Sequence, residues 1–443
     1  MSALPDTPVL AWLGDDFTGA AAVMEVFAFA DLPAVLFLDT PSPERMADFP
    51  RMQGIGIASM ARTYSPARME RDLPAQFELL AQTGARLVQY KTCSTLDSAP
   101  HVGSIGKAMD IGAAIFGATT IPIMIAAPEM RRYQAFGTLF AGTDAGVFRL
   151  DRHPVMTRHP VTPMDEADVA LHLAQQTDIV IQCLDLETLA EPSRACAMLK
   201  AGKGGVTIDQ MGPQDVRAAG ALLWNGHNRF VVGSQGIAYA LVAHFQKIGL
   251  LQHAPTVSGI GRAERMAVVS GSVSSTTADQ ITWALDNGFA DIRLDVTQVC
   301  GGDLANAEAR ALELALQSLV HGQVPIIYTA RGPDDPAVAQ LRAAAGDQLV
   351  QVNDDIGAAL GRILEQLVDK AGLDRAVVSG GDTSGHVCKA LGIDALTAAA
   401  PTIPGAAICN AHGRASPLTL ALKGGQMGSR DYFGWVLDGG GER

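Results

Sequence analysis

Residues 376–391, AVVSGGDTSGHVCKAL, indicate the fold class of this chain. The apolar run 376–378 is typical of a buried strand; it breaks at Gly380 and Gly381, and a helical pattern begins at His386. A strand, a glycine turn and a helix N-terminus together offer free N–H donors and the positive end of a helix dipole. This arrangement suits a phosphate group, and a tight turn without a ligand is the alternative.

Polar residues next to these glycines complete the candidate phosphate site. We expect Thr383 or Ser384 to cap the helix that follows. The predicted site comprises Gly380, Gly381, Asp382 and Thr383.

Two further glycine turns occur in the same half of the chain. The predicted strand 266–269 breaks into SGSVSS at 270–275, and a helix is predicted over 277–287. Two helix N-termini on one sheet could face one polyphosphate, so Ser272 and Ser274 join the candidate nucleotide site. Near the C-terminus, a predicted strand runs into KGGQMG at 423–428, where Gly425 could approach phosphate and Lys423 could supply positive charge. Surface glycines without a ligand are the alternative for this last run.

Composition and length predict an α/β protein with two domains, each a largely parallel sheet covered by helices. The chain has 443 residues, 46 of them glycine, with few aromatics and apolar segments that alternate with amphipathic ones. The segment 252–265 is polar, contains Pro and Gly and lacks a period, so we place the boundary there. The predicted domains are residues 1–252 and 266–443.

Net charge and cysteine content indicate which classes of binding partner and which cellular compartment to expect. The net charge is −13 without a block of basic residues, which argues against nucleic acid and anionic membranes as partners. The six cysteines form no C-x-x-C pair, and the N-terminus lacks the basic start and apolar core of a signal peptide. The longest apolar region, 113–128, is interrupted by Gly, Thr and Pro, so we do not expect it to span a membrane. We predict a soluble, cytoplasmic protein.

A pair of carboxylates marks the N-terminal half. A predicted strand at 9–13 runs into GDDFTG at 14–19, which has the glycine spacing of a P-loop but lacks its Lys and Ser/Thr. Asp15 and Asp16 would repel phosphate, but they suit sugar hydroxyls and could accept a proton from one. A helix cap is the structural alternative, and it would explain one Asp more easily than two.

Basic residues follow two other predicted strands of this half. Ligands of open α/β sheets gather beyond the carboxyl ends of the strands, where we expect Arg62 and Lys91. With the hydroxyl groups after Lys91 they would form a cradle for a small carboxylate. Those hydroxyl-bearing residues are Thr92, Ser94 and Thr95.

A proline-rich segment covers residues 149–164. Three prolines forbid a regular helix there. His153 and His159 could ligate a metal, but no third ligand is spaced to join them. We therefore predict an ordered polar loop and no metal site.

Taken together and in order, these motifs resemble the four-carbon acid sugar kinase family, which includes 3-oxo-tetronate, threonate and erythronate kinases. The resemblance spans nearly the whole chain. The motifs are GDDFTG (14–19), KTCSTLDS (91–98), RLDRHP (149–154) with HPVTPM (159–164), SGS (270–272), GGDT (380–383) and KGGQMG (423–428).

The resemblance implies a kinase that phosphorylates a terminal hydroxyl of an acid sugar with ATP. It implies that the N-terminal domain holds the sugar acid and the C-terminal domain holds ATP. Many relatives carry Lys-Ser-Gly-Asn-Phe-Gly where this chain carries KGGQMG, which indicates a divergent branch. A branched oxo-acid sugar such as 3-oxo-isoapionate is therefore an alternative substrate.

A mechanistic hypothesis follows from the placement of charge. Arg62 and Lys91 bind the substrate carboxylate, Asp16 or Asp15 accepts the proton of the attacking hydroxyl, and the glycine turns hold ATP with Mg²⁺. Two other classes of function remain alternatives. One is a nicotinamide-dependent hydroxy-acid dehydrogenase, although this sequence lacks the G-x-G-x-x-G signature of that class. The other is a non-catalytic sugar-acid sensor. For the subunit number, a homodimer is the default expectation.

Overall fold

A computed structural model describes residues 4–443 except 144, 160, 253–256 and 297–302, and for Asp382 only the backbone is described. The chain divides into two compact units, Met1–Pro255 and Thr256–Arg443.

The N-terminal unit contains a parallel sheet with the strand order β2-β3-β1-β4-β11-β5-β10-β9. The five central strands are buried along their whole length or nearly so, as expected of a sheet covered on both faces. The strands are β1 (Leu10–Gly14), β2 (Ala34–Phe37), β3 (Gly54–Ala58), β4 (Leu87–Lys91), β5 (Thr120–Met124), β9 (Ile181–Leu184), β10 (Gly204–Ile208) and β11 (Phe230–Gly233).

Helices connect these strands. The first begins at Phe17, inside the GDDFTG motif, because Asp16 caps it by accepting a hydrogen bond from the Gly19 N–H at 3.1 Å. The helices are α1 (Phe17–Ala28), α2 (Pro43–Ala47), α3 (Pro66–Gln82), α4 (Ile105–Phe116), α5 (Val169–Ala174), α6 (Leu186–Leu189), α7 (Pro192–Ala201), α8 (Pro213–Asn225) and α9 (Gly236–Lys247).

A small antiparallel sheet, β6-β7-β8, was not predicted. Its strands are β6 (Arg132–Ala135), β7 (Thr138–Thr143) and β8 (Gly146–Arg149). The described part of the proline-rich segment that follows contains only two single 3₁₀ turns, Leu150–Arg152 and Met156–Arg158, so the prediction of an irregular segment is confirmed.

The C-terminal unit contains a second sheet, with the strand order β13-β14-β12-β15-β18-β17-β16. Its first five strands are parallel, and β17 pairs antiparallel with both of its neighbours. The strands are β12 (Met266–Ser270), β13 (Ala290–Arg293), β14 (Pro325–Tyr328), β15 (Arg375–Ser379), β16 (Ala395–Ala400), β17 (Ile408–His412) and β18 (Thr419–Lys423).

One helix start of this unit differs from the prediction. The helices are α10 (Ser275–Asp286), α11 (Leu304–Val320), α12 (Pro336–Ala345), α13 (Leu349–Ala371), α14 (Gly381–Ala390) and α15 (Tyr432–Leu437). The predicted caps of α14, Thr383 and Ser384, are wrong, because the chain turns at Gly380 (φ +124°) and the helix starts at once. Ser384 lies inside the first turn and donates its hydroxyl hydrogen to the Gly380 carbonyl at 2.8 Å.

The two sheets share one topological feature. In each unit the first four parallel strands occur in the order second, third, first, fourth: β2-β3-β1-β4 and β13-β14-β12-β15. The connections from β1 and β4 leave in opposite directions, as do those from β12 and β15. A crevice opens beyond the carboxyl ends of two such strands, and α/β proteins bind ligands there.

The fold class of two α/β units with largely parallel sheets is thus confirmed. Within the described part of the chain, a search for helices with the length and apolarity of a membrane span finds none.

Candidate functional site

The strand register of the N-terminal unit brings its predicted site residues to one edge. Gly14 at the end of β1 lies opposite Ala58 of β3 and opposite Lys91 of β4. The loops that carry Asp15 and Arg62 therefore begin beside Lys91, at the carboxyl edge of the sheet. This is the crevice between β1 and β4 described above.

Asp15 and Arg62 form the buried centre of this edge. Arg62 Nε and Nη2 donate to the two carboxylate oxygens of Asp15 at 3.2 and 2.8 Å, a bidentate pair. The side chain of Asp15 is 1% exposed, and this burial raises its pKa to about 6. Asp15 is thus a shielded carboxylate that Arg62 holds in place.

Asp16 is the accessible member of the carboxylate pair. Its side chain is 26% exposed, and its Oδ1 accepts hydrogen bonds from Arg62 Nη2 at 2.7 Å and from the Gly19 N–H. Asp16 therefore does both things that the sequence suggested as alternatives: it caps α1 and it presents a carboxylate to the crevice.

Lys91 is a buried cation at the same edge. Its side chain is enclosed, and Nζ donates to the Thr92 carbonyl at 2.7 Å. A Cβ atom on Gly19 would lie 2.5 Å from this Nζ, so the glycine leaves room for the ammonium group. Among the described residues, the Thr92 hydroxyl has no hydrogen-bond partner although it is buried. An ammonium with unused donors and an orphaned hydroxyl fit a small polar anion.

Ser94 and Thr95 follow Lys91 in the same loop. Ser94 is buried, and the Thr95 hydroxyl lies 3.0 Å from the Cys93 sulfur. The structure therefore places them within the loop that begins at the site edge and gives neither a contact with Arg62.

Sequence reasoning missed a second set of polar side chains near Arg62. Asp97 Oδ2 lies 3.9 Å from Arg62 Nε, and Asp97 Oδ1 accepts a hydrogen bond from the Thr162 hydroxyl. His159 Nδ1 lies 2.8 Å from the same hydroxyl and 3.7 Å from Asp97. The proline-rich segment thus contacts the site through Thr162 and His159. The acidic residue six positions after Lys91 was the available signal.

In the C-terminal unit, strand register brings the three glycine turns together. Ser270, Ser379 and Lys423 are the last residues of β12, β15 and β18, and they lie opposite one another in adjacent parallel strands. Each glycine turn begins at the next residue. The predicted common edge of these turns is therefore observed.

Hydroxyl groups fill the space between the turns. Thr277 Oγ1 donates to Ser272 Oγ at 3.1 Å and lies 3.2 Å from Ser379 Oγ. Ser274 caps α10, and its hydroxyl also bonds the Gly425 carbonyl. These contacts tie the Ser272–Ser274 turn to Gly425 across the sheet edge.

Lys423, which the sequence suggested as a source of positive charge, lies beneath these hydroxyls. Its side chain is 1% exposed, and Nζ donates to Thr277 Oγ1 at 3.2 Å and to the Gly424 carbonyl at 3.1 Å. Burial lowers the pKa of this amine to about 7, and no carboxylate pairs with it within the described ranges. A buried lysine that lacks a counter-anion favours an anionic ligand.

The glycines leave space that side chains would fill. A Cβ atom on Gly271 would collide with Thr383 Oγ1, and one on Gly425 would collide with Ser272 Oγ. A Cβ atom on Gly381 would meet nothing within 4 Å, so the backbone at the start of α14 is open. The side chain of Asp382 lies outside the described part of the structure. Exposed N–H groups, hydroxyls and a lysine fit the phosphates of a nucleotide.

A search for metal centres gives no candidate in the described part of the chain, where no three His, Cys, Asp or Glu side chains are grouped as ligands. His153 is buried and its Nδ1 accepts from the Val155 and Met156 N–H groups at 3.2 and 3.3 Å, so it stabilises its own loop.

Comparison with known proteins assigns both units. Residues 10–241 match the family described as the sugar-binding N-terminal domain, and residues 267–433 match the nucleotide-binding C-terminal domain. The 3-oxo-isoapionate kinase of Paraburkholderia graminis is 42% identical over 99% of this chain and 96% of its own length. A 3-oxo-tetronate kinase of Methylobacterium radiotolerans is 30% identical over 97% of this chain and 98% of its own length.

Two solved structures share the fold. A Salmonella typhimurium LT2 protein superposes with a TM-score of 0.78 at 24% identity, covering 96% of this chain and 98% of its own. The Haemophilus influenzae protein HI1011 gives a TM-score of 0.73 at 22% identity with the same coverage. The full-length matches confirm the resemblance seen in the motifs: the chain belongs to the four-carbon acid sugar kinase family and is a phosphotransferase for acid sugars.

Proposed function

We propose that the chain transfers the γ-phosphoryl group of ATP to a terminal hydroxyl of 3-oxo-isoapionate, with a 3-oxo-tetronate as the second candidate acceptor. The order of the candidates follows the identities of 42% and 30% to kinases named for these substrates. One observation supports the reaction class. Carboxylates and a lysine lie at the crevice between β1 and β4, whereas glycines, hydroxyls and a lysine lie at the crevice between β12 and β15.

The acid sugar is assigned to residues 1–252. Lys91 and the Thr92 hydroxyl bind the substrate carboxylate, since the described contacts leave donors unused on both. Arg62 orients the two aspartates and contributes to the same carboxylate through its partly exposed guanidinium. Ser94 and Thr95 supply hydroxyl groups from the loop.

Asp16 accepts the proton of the attacking hydroxyl. Its carboxylate reaches the crevice, whereas Asp15 is too buried to touch a substrate. The hydroxyl oxygen bonds to the γ-phosphorus, the bond from that phosphorus to the β–γ bridging oxygen breaks, and ADP leaves. A weak base suffices because the transition state of phosphoryl transfer is loose.

The nucleotide is assigned to residues 266–443. Ser272, Ser274 and Gly425 line one side of the phosphate site, and the turn Gly380, Gly381, Asp382 and Thr383 lines the other. Lys423 supplies the positive charge. Mg²⁺ supplied with ATP would neutralise charge on the phosphates held by these residues.

The test is an ADP-release assay with a panel of four- and five-carbon aldonic and oxo-aldonic acids, with product masses measured. We expect the highest kcat/KM for 3-oxo-isoapionate and a product heavier by one phosphoryl group. A change in NADH absorbance that does not require ATP would favour a dehydrogenase instead. Tight acid-sugar binding without ADP release would favour a sensor.

A further inference from the structure

We infer that a cavity of about 140 Å³ in the C-terminal unit holds the base of the nucleotide, an inference that rests on the proposed function. Val273 forms one wall of the cavity and is 41% exposed. It lies between Ser272 and Ser274, whose hydroxyls line the proposed phosphate site. The cavity is therefore one residue away from the phosphates.

The lining also includes residues that follow the neighbouring strand β14. These residues are Thr329 and Ala330. Tyr328, the last residue of β14, is paired with Ser270, the last residue of β12. The cavity thus opens at the same carboxyl edge as the glycine turns, on the side toward β14.

The lining selects the chemistry of the occupant. Its walls are mainly aliphatic, and its lining includes one charged residue, the exposed Arg342, and no carboxylate. The hydroxyls of an acid sugar would remain without partners against such walls, whereas the faces of a flat aromatic ring would be buried favourably. Whole ligands need about 300–1,000 Å³, so this cavity is a subsite for one ring system. Besides Ala330, the aliphatic lining residues are Val273, Val296, Ala337, Val338, Leu341 and Leu349.

Three polar side chains line the cavity, Thr329, Arg342 and Asn353, and the two uncharged ones can read the edge of the base. Asn353 of α13 carries an amide, which presents one donor and one acceptor side by side, and Thr329 carries a hydroxyl. The N6 and N7 atoms of adenine match such an amide, while guanine places an acceptor where adenine has its donor. Asn353 therefore favours ATP over GTP.

The first test fills the cavity. Ala337→Phe places a ring in it, and Ala339→Phe makes the same change on an exposed position of α12 outside the lining. We expect Ala337→Phe to weaken ADP binding about tenfold or more by titration calorimetry, because the base is displaced. Pyrophosphate has no base and should bind both variants as it binds the wild-type protein. Ala339→Phe should bind ADP normally.

The second test does not depend on the larger side chain folding well. Asn353 is an exposed residue of α13. Its change to alanine should lower the ratio of ATP affinity to GTP affinity several-fold and leave the affinity for pyrophosphate at the wild-type value. Wild-type ADP affinity in Ala337→Phe, or an unchanged nucleotide ratio in Asn353→Ala, would overturn the base subsite and leave the kinase proposal standing. A wild-type protein that binds neither ADP nor pyrophosphate would overturn both.

Discussion

Arg62 and Lys91 differ in what surrounds their charge. Arg62 is balanced by Asp15 and Asp16, whereas Lys91 bonds a carbonyl oxygen. The two aspartates differ in solvent exposure, since the side chain of Asp15 is buried and that of Asp16 is partly exposed. Residue types alone did not distinguish Arg62 from Lys91 or Asp15 from Asp16. Their burial gives each a distinct proposed role.

Asp16→Asn tests the proposed base. We expect kcat to fall about 10²–10⁴-fold because the attacking hydroxyl loses its proton acceptor, while the affinity for ADP stays unchanged. Steady-state kinetics and calorimetry measure the two quantities. An asparagine oxygen still accepts the Gly19 hydrogen bond, so the melting temperature controls for loss of the cap. Normal turnover by this variant would remove Asp16 from the mechanism.

Lys423 predicts a pH dependence of nucleotide binding. Because burial lowers the pKa of its amine to about 7, the free protein loses this charge as the pH rises through 7. The bound anion favours the protonated amine, so ADP binding takes up a proton. The affinity should therefore fall above pH 7, by up to about tenfold per pH unit.

Calorimetry between pH 6 and 9 measures this dependence, with Lys423→Arg as the comparison. Arginine stays charged throughout, so its profile retains only the ionisation of the nucleotide itself. Lys423→Met should bind ADP weakly at every pH. Parallel profiles for the wild-type protein and Lys423→Arg would show that the amine does not titrate on binding.

At the scale of elements, strand ends and helix starts build both sites. The register of β12, β15 and β18 aligns three glycine turns, and the register of β3, β1 and β4 aligns the charged loops. In the C-terminal unit the helix α14 begins immediately at Gly381, so its free N–H groups lie next to the turn.

Two glycines of α14 give a matched test of phosphate binding. Gly381 and Gly385 both lie in the helix, both are exposed, and a Cβ atom on either would meet no protein atom within 4 Å. Alanine at either position should leave the melting temperature unchanged or raise it, because alanine favours helix. Only Gly381→Ala should weaken ADP binding, about tenfold, since its methyl group would point to the phosphates. Equal ADP affinities of the two variants would argue against phosphate at Gly381.

At the scale of the molecule, two units whose first four parallel strands share one order carry different chemistry. The crevice between β1 and β4 presents carboxylates, and the crevice between β12 and β15 presents hydroxyls and glycines. The shared topology provides a ligand position in each unit, and the residues at the strand ends decide which ligand each one takes.

Hydrogen exchange on the whole chain tests this division. ADP should slow amide exchange around residues 271–275, 380–385 and 424–425, because bound phosphates protect the N–H groups of the turns. The accepted acid sugar should slow exchange around residues 14–19 and 91–98. Mass spectrometry of peptides with each ligand alone measures both patterns. Protection of residues 14–19 by ADP alone would reverse the proposed assignment.

The sequence by itself determined the fold class, the strand–glycine–helix units and the motif order that marks the family, because hydrophobic period and glycine position are local properties. Tertiary structure decided what local pattern cannot encode. It paired Arg62 with both aspartates, brought Asp97, His159 and Thr162 together, and buried Lys423 against the Thr277 hydroxyl of α10. Partners far apart in the chain meet only through strand register, and burial, which sets the pKa of a side chain, depends on every segment that packs around it.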